Sequence, residues 1–199
     1  MKRLDPRQVK SKEKLQDTYL KLLKQGEYQI TINQLCKVAN VGRPTFYRLY
    51  NDVTELRFDI HESLLLELKK SLSMSNPRPF RLLNKDDLYT NFTLLFQHIL
   101  TRKDAYKVFC VDYPDGIFIE YVKNLIMQYV SEGIFYAEQG GNSLRGEKEI
   151  IISYIAGAYL EGIRWWIKGN FNMPVEEIAT ILVDLSIYGP YIEKPKLMD

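Results

Sequence analysis

The chain has 199 residues and a mass of 23.4 kDa, which is room for one ordinary domain or for a small domain fused to a larger one. With 46% hydrophobic and 26% charged residues its composition is globular, which excludes a disordered tail or a coiled-coil rod as the main structure. No apolar run approaches the roughly 18 residues of a membrane span. The start, Met1-Lys2-Arg3-Leu4-Asp5-Pro6, lacks the apolar stretch of a secretory signal, so a cytoplasmic protein is expected. Cys36 and Cys110 stand in no CxxC spacing, and His61 and His98 are the only histidines. Neither a disulfide framework, nor a metal site, nor a cofactor is expected. The net charge of +2 hides an asymmetry: residues 1–58 carry 12 basic and 6 acidic side chains, residues 59–199 carry 15 and 19. A basic head on a mildly acidic body points to a polyanion partner for the head.

Helical spacing dominates the chain. Leu15, Tyr19, Leu22 and Leu23 form one stripe over Lys14–Lys24, and Gly26 stops it. Thr31 reads as an N-cap, with Gln34 as its capping-box partner and Ile30 as a staple. The helix it opens covers Ile32–Ala39 and buries Ile32, Leu35, Cys36 and Ala39. Asn40-Val41-Gly42 is a tight turn. Pro44 suits an early helical position, and a short helix is predicted over Arg43–Leu49. Asn51-Asp52 breaks the chain, and a long helix follows over Val53–Ser73. The Pro-containing stretch from Ser75 to Lys85 reads as a loop. Further helices are expected over Asp86–Thr101, Asp104–Val111, Asp115–Glu138, Glu147–Lys168 and Pro174–Tyr188. No strand-like alternation persists. The fold class is all-α with about nine helices: a head over residues 1–52 and a helical body over 53–199.

Residues 31–50 make helix, short turn, short helix, the helix-turn-helix arrangement whose second helix enters the DNA major groove. Leu35, Ala39, Val41, Phe46 and Leu49 supply the apolar contacts between the two helices. The other face of the short helix carries Arg43, Thr45, Tyr47 and Arg48. Arginine reaches guanine edges or phosphates, threonine a base edge or methyl, and tyrosine a phosphate oxygen.

The run Ile30-Thr31-Ile32, Leu35-Cys36 and Ala39 through Tyr50, with Leu56 beyond it, resembles the N-terminal signature of the TetR family of transcriptional regulators. The likeness covers about residues 10–58, with Thr45-Phe46-Tyr47 as its most specific part. Four positions depart from the family pattern: Asn40 and Pro44 replace glycines, Leu49 a histidine and Val53 a lysine. Val53 removes an expected phosphate contact and leaves the start of the fourth helix with backbone N–H groups alone. The resemblance implies that the Thr31 or Ile32 backbone, Tyr47 and Arg48 position the head on phosphates, while Arg43, Pro44 and Thr45, with Asn33 or Gly42, face bases. Lys2, Arg3, Arg7, Lys10, Lys12 and Lys14 read either as a basic arm that adds phosphate contacts or as a frayed terminus.

The resemblance also implies a homodimer joined through the last two helices. The sequence supports this on its own account. Ile151, Tyr154, Ile155, Ala158, Gly162 and Trp165 form one stripe, widened by Ile152, Tyr159, Ile163 and Trp166, more apolar surface than one side of a helix can cover. The stretch Gly162 to Ala179 resembles a subgroup that includes regulators related to dihydroxyacetone-kinase operons. The implied partners are a double-stranded DNA operator, a second copy of the chain and a small apolar or aromatic effector. Candidate pocket residues are Phe92, Phe96, Tyr106, Phe109, Tyr113, Phe118, Tyr121, Met127 and Trp165, although aromatics at helical spacing are more often core than pocket.

An enzyme is not expected: the chain has no Walker loop, no GxSxG and no HExxH. The expected function is a homodimeric repressor released from a near-palindromic operator by an inducer. The alternative, motivated by Leu49 and Val53, is a coregulator controlled by a partner protein, with DNA binding weak or lost.

Overall fold

Asp5 caps a first helix that starts at Pro6, eight residues before the sequence pattern predicts one at Lys14. The computed structural model describes residues 5–74, 85–139, 141 and 143–190, and there α1 spans Pro6–Lys24. The Asp5 carboxylate accepts from the Arg7 N–H at 2.7 Å, and the Gln8 side chain accepts from the Asp5 N–H at 3.1 Å. This is a full capping box, with Pro6 at the first helical position. Arg7, Lys10, Lys12 and Lys14 therefore lie on a capped helix, which corrects their reading as a frayed terminus; Lys2 and Arg3 lie outside the described residues.

The head is completed by α2 (Ile32–Ala39) and α3 (Arg43–Leu49). Thr31 Oγ1 accepts from the Gln34 N–H at 3.2 Å, the Thr31 half of the expected box. Asn40 sits at φ 52°, ψ 47° and ends α2 in the left-handed conformation that asparagine tolerates, which is why it can stand where the family prefers glycine. Leu15, Leu35, Phe46 and Leu56 are sealed in the core between α1, α2, α3 and the start of α4 (Val53–Met74).

The body comprises α5 (Lys85–Thr101), α6 (Lys103–Lys107), α7 (Gly116–Gln139), α8 (Lys148–Lys168) and α9 (Val175–Tyr188). The described residues thus form nine α-helices and no strand. The expected single helix over Asp104–Val111 is instead α6 followed by a π-helical turn, Val108–Asp112. The Tyr113 N–H reaches back five residues to the Val108 carbonyl at 2.8 Å. The wider turn points Val108, Phe109 and Cys110 into the core together. The expected loop over 75–85 and the Gly140 and Asn142 positions fall almost wholly outside the described residues. Helix α5 packs on α4 and α9, and α7 packs on α8. Trp166 lies between Phe96 and Phe171, edge-on to both, with ring centroids 5.1 and 4.9 Å away, and donates from Nε1 to the Met173 carbonyl at 2.8 Å.

Candidate nucleic-acid interface and the groove behind it

Helix α3 has only seven residues, too few to persist alone. Its position is set by Phe46, whose ring is fully buried and meets Tyr50 at 5.8 Å. With Phe46 inward, the remaining face turns outward: Arg43, Pro44, Tyr47 and Arg48 are exposed and Thr45 is half-buried. Tyr47 is 50% exposed, and the Arg43 guanidinium stands 5.9 Å from its ring centroid. Thr31, Asn33 and Gly42 are exposed at the adjoining starts of α2 and α3. Of the eight candidate DNA-binding residues, seven are thus exposed and Thr45 is half-buried, and five of the eight lie on α3.

A polar clasp that sequence reasoning missed fixes this end to α4. The Asp59 carboxylate accepts from Lys12 Nζ at 2.8 Å, Gln16 Nε2 at 2.8 Å and the Tyr50 hydroxyl at 2.6 Å, tying α1 and the end of α3 to α4. Burial and the Asp59 carboxylate raise the Tyr50 hydroxyl well above its ordinary pKa, so it stays a donor. At the start of α4, Asp52 accepts from the Glu55 N–H at 2.8 Å and Glu55 accepts from the Asn51 N–H at 2.6 Å. Val53 is half-buried against the core. The Glu55 N–H is thus already occupied by a carboxylate.

Beyond this clasp, further contacts tie α1 and the start of α4 to the elements that follow. Tyr28 stacks on Tyr113 with centroids 4.8 Å apart and planes 12° from parallel. Lys24 pairs with Asp104 at 2.8 Å. Arg57 Nη1 lies 3.4 Å from Asp115 Oδ2. The other Asp115 oxygen caps α7 through the N–H groups of Ile117 at 3.0 Å and Phe118 at 3.1 Å. His61, 1% exposed, puts Nε2 3.7 Å from the same Asp115 oxygen, too far for a hydrogen bond. Neither ring nitrogen has a hydrogen-bond partner.

Burial outweighs the Asp115 charge and lowers the His61 pKa from 6.5 to about 4. The imidazole is neutral at pH 7. Between pH 6.5 and about 4 the unfolded chain holds a proton on His61 that the folded chain does not. Stability contributed by this residue therefore falls as the pH drops through that window, with a slope of at most about 1.4 kcal/mol per pH unit. Urea unfolding at pH 7, 5.5 and 4 should show His61→Leu losing less stability than the parent. Equal losses would mean that the folded imidazole takes up its proton normally.

The nine candidate pocket residues do not line one cavity. Phe92, Phe96, Tyr106, Phe109 and Phe118 are buried core, with Phe109 and Phe118 5.3 Å apart. Met127 is half-buried against that core, Tyr113 belongs to the head–body joint, and Trp165 points outward, 61% exposed. Of the nine, only Tyr121 borders a groove of about 690 Å³ between α4 and α7. Its walls include Phe58, Leu65, Leu66, Tyr121 and Leu125, and His61 lines it as well. Burial pushes the Cys110 thiol up to about 12, which leaves it unreactive. Among the described residues no cluster of histidine, cysteine and carboxylates could hold a metal ion. No helix there is long and apolar enough to cross a membrane.

The exposed face of α3 and the clasped α4 thus stand at the front of a helical body. Residues 86–188 match the family model TetR_C_8, a transcriptional regulator C-terminal region. The chain belongs to the TetR family. No curated protein sequence matches it. Solved structures share the fold of this TetR-family regulator. The dihydroxyacetone kinase operon activator DhaS is 19% identical at a TM-score of 0.61, with 89% of this chain and 94% of that one covered. A TetR transcriptional regulator from Streptococcus agalactiae is 18% identical at 0.65, with 90% and 95% covered. FadR from Bacillus subtilis, in complex with stearoyl-CoA, is 12% identical at 0.68, with 90% and 99% covered.

Proposed function

We propose that this TetR-family regulator is a cytoplasmic homodimeric repressor that reads a near-palindromic operator and is released from it by a small apolar or aromatic inducer. The observation that carries the reading is α3 itself: Phe46 is inside, while Arg43, Tyr47 and Arg48 are out. One seven-residue helix reads too few bases for specificity, so two copies on two half-sites about one helical turn apart are required.

The second copy is accommodated by α8 and α9. Ile150 and Tyr154 are 68% and 76% exposed on α8, in line with Trp165, and Ile181, Leu185 and Tyr188 are exposed at helical spacing on α9. An apolar face of that extent is an interface in waiting. Close approach of the two helices is already built in, since the Gly162 Cα stands where an added Cβ would lie 2.8 Å from Leu182 Cδ2. The inducer would enter the α4–α7 groove. That FadR holds stearoyl-CoA supports an elongated effector in this fold. Because α4 runs from the head clasp at Asp59 to the groove, pressure on the groove moves the head through one rigid element.

The test is an operator selected from random DNA, bound by the parent, Arg43→Ala and Tyr47→Ala. Arg43→Ala should lose about 1–3 kcal/mol with relaxed preference at one base position, and Tyr47→Ala should weaken all sequences alike. Parental affinity in both variants would refute the assignment. Absence of binding even at low salt, where phosphate contacts are strongest, would favour the partner-controlled coregulator instead.

A further inference from the structure

Glu62 is a carboxylate set among exposed apolar side chains. It lines the α4–α7 groove with Phe58, Leu65 and Leu66 of its own helix, and Tyr121 and Leu125 form the α7 wall. Leu66 and Tyr121 are 54% and 49% exposed, a concentration of open apolar surface that marks a binding groove. Its volume of about 690 Å³ falls in the range of small-molecule sites. Among the described residues Glu62 makes no hydrogen bond and no ion pair, whereas Lys69, which also lines the groove, has a partner of its own. The unmatched charge in the groove is therefore negative.

Resting on the effector reading above, we infer that this groove takes an elongated lipophilic cation, with its charged head on the Glu62 carboxylate and its apolar body along Leu65, Leu66 and Leu125.

The register of the two helices places head and body. Phe118 meets His61 at 4.9 Å, and α7 and α4 both run on from that contact into the groove. Glu62 and Tyr121 therefore share one end, and Lys69 and Gln128 the other. From Glu62 to Lys69 the α4 wall rises about 10 Å, room for a medium alkyl chain beside the leucines. A cation at the first end gains from the carboxylate and from the exposed Tyr121 ring, whose face attracts positive charge. An anion there would be repelled by Glu62 and would lose hydration without compensation. A neutral alcohol would gain only the burial of its chain. Glu62 and Phe58 also wall a smaller opening of about 270 Å³, bordered by Lys12, Arg48 and Asp59. Lys12 is held by Asp59 at 2.8 Å, and neither it nor Arg48 pairs with Glu62, so the carboxylate is not matched from that side. A head bound at Glu62 stands next to the clasp that fixes α3, which gives occupancy of the groove a route to the recognition helix.

The experiment is calorimetric titration of the full chain at pH 7.5 with three probes that share one tail: octyltrimethylammonium, octanoate and octan-1-ol. The cation should bind about tenfold or more tightly than either of the others. Glu62→Gln, at an exposed position where folding is not at stake, should weaken the cation about tenfold and leave octan-1-ol as it was. Leu66→Lys, at a position 54% exposed, should abolish cation binding by setting a like charge along the path of the chain. The inference is overturned if octanoate or octan-1-ol binds as tightly as the cation, if the cation does not bind, or if either variant binds it like the parent. Operator affinity measured with and without octyltrimethylammonium, with Glu62→Gln as the control for added salt, separates the two readings. Binding that leaves DNA affinity unchanged retires the inducer role and keeps the site, whereas absence of binding retires the site and leaves the DNA reading intact.

Discussion

Phe46→Ala is expected to destabilise the head by about 3–5 kcal/mol and to remove operator binding altogether. The ring is fully buried and touches Tyr47 and Tyr50 at 5.7 and 5.8 Å. Helices α2 and α3 have eight and seven residues, below the length at which an isolated helix holds in water. Their order comes from a small core in which Phe46 is the largest fully buried side chain. The cavity cannot be closed by a shift of α3, because Tyr50 at its end is clasped to Asp59 at 2.6 Å. Phe96 and Trp166 pack on each other and on Phe171, away from α3, so the loss should be greatest in the head. Amide exchange should rise to near-unfolded rates in α2 and α3 while α8 stays protected. Arg43→Ala is the control, since it loses DNA affinity with the head intact. If Phe46→Ala keeps both the protection of α2 and its operator affinity, the ring does not organise the recognition helix as described.

Local signals in the sequence were sufficient wherever one residue decides the backbone. Thr31 at a cap, Asn40 in a left-handed turn and Pro44 early in α3 each act through their own conformation, and α2 and α3 begin and end where those residues require. The early start of α1 is equally legible: Asp5-Pro6-Arg7-Gln8 is a capping box with proline at the first position, set among positive charges. What periodicity cannot supply is the object that a face packs against. Aromatics at helical spacing mark an inward stripe, but whether that stripe fills a core or lines a pocket depends on elements distant in sequence. Phe92 closes against Tyr159 at 4.5 Å, whereas Tyr121 meets a groove. Asp59, Asp115 and His61 escaped notice for the same reason. Their partners lie up to 58 positions away in the chain, Gln16 and Lys12 for Asp59, Arg57 and His61 for Asp115, and no short motif joins them. The π-turn at Val108–Asp112 is a further case, since its single extra residue serves the packing of Phe109 and leaves no mark in composition.

Charging the outer face of α8 and α9 is expected to separate two copies of the chain without unfolding either. Tyr154 is 76% exposed and Leu185 44% exposed, so glutamates at both positions remain solvated in a single copy and should change its stability by no more than about 0.5 kcal/mol. Across a symmetric interface the same residues return from the partner, so each substitution places like charges in a surface that would be desolvated by association. Light scattering should give the dimer mass for the parent and half of it for Tyr154→Glu/Leu185→Glu. Affinity for the full operator should fall by about 10²–10⁴-fold, because the second head no longer benefits from the high effective concentration that the first one confers. Binding to an isolated half-site should not change, since α3 and its clasp to Asp59 are untouched. This last measurement separates a lost partner from a damaged head. If the double variant still runs as a dimer, or if the parent scatters as a single copy at operator-binding concentrations, the α8–α9 face is not where two copies meet, and the exposed row from Ile150 to Trp165 serves something else.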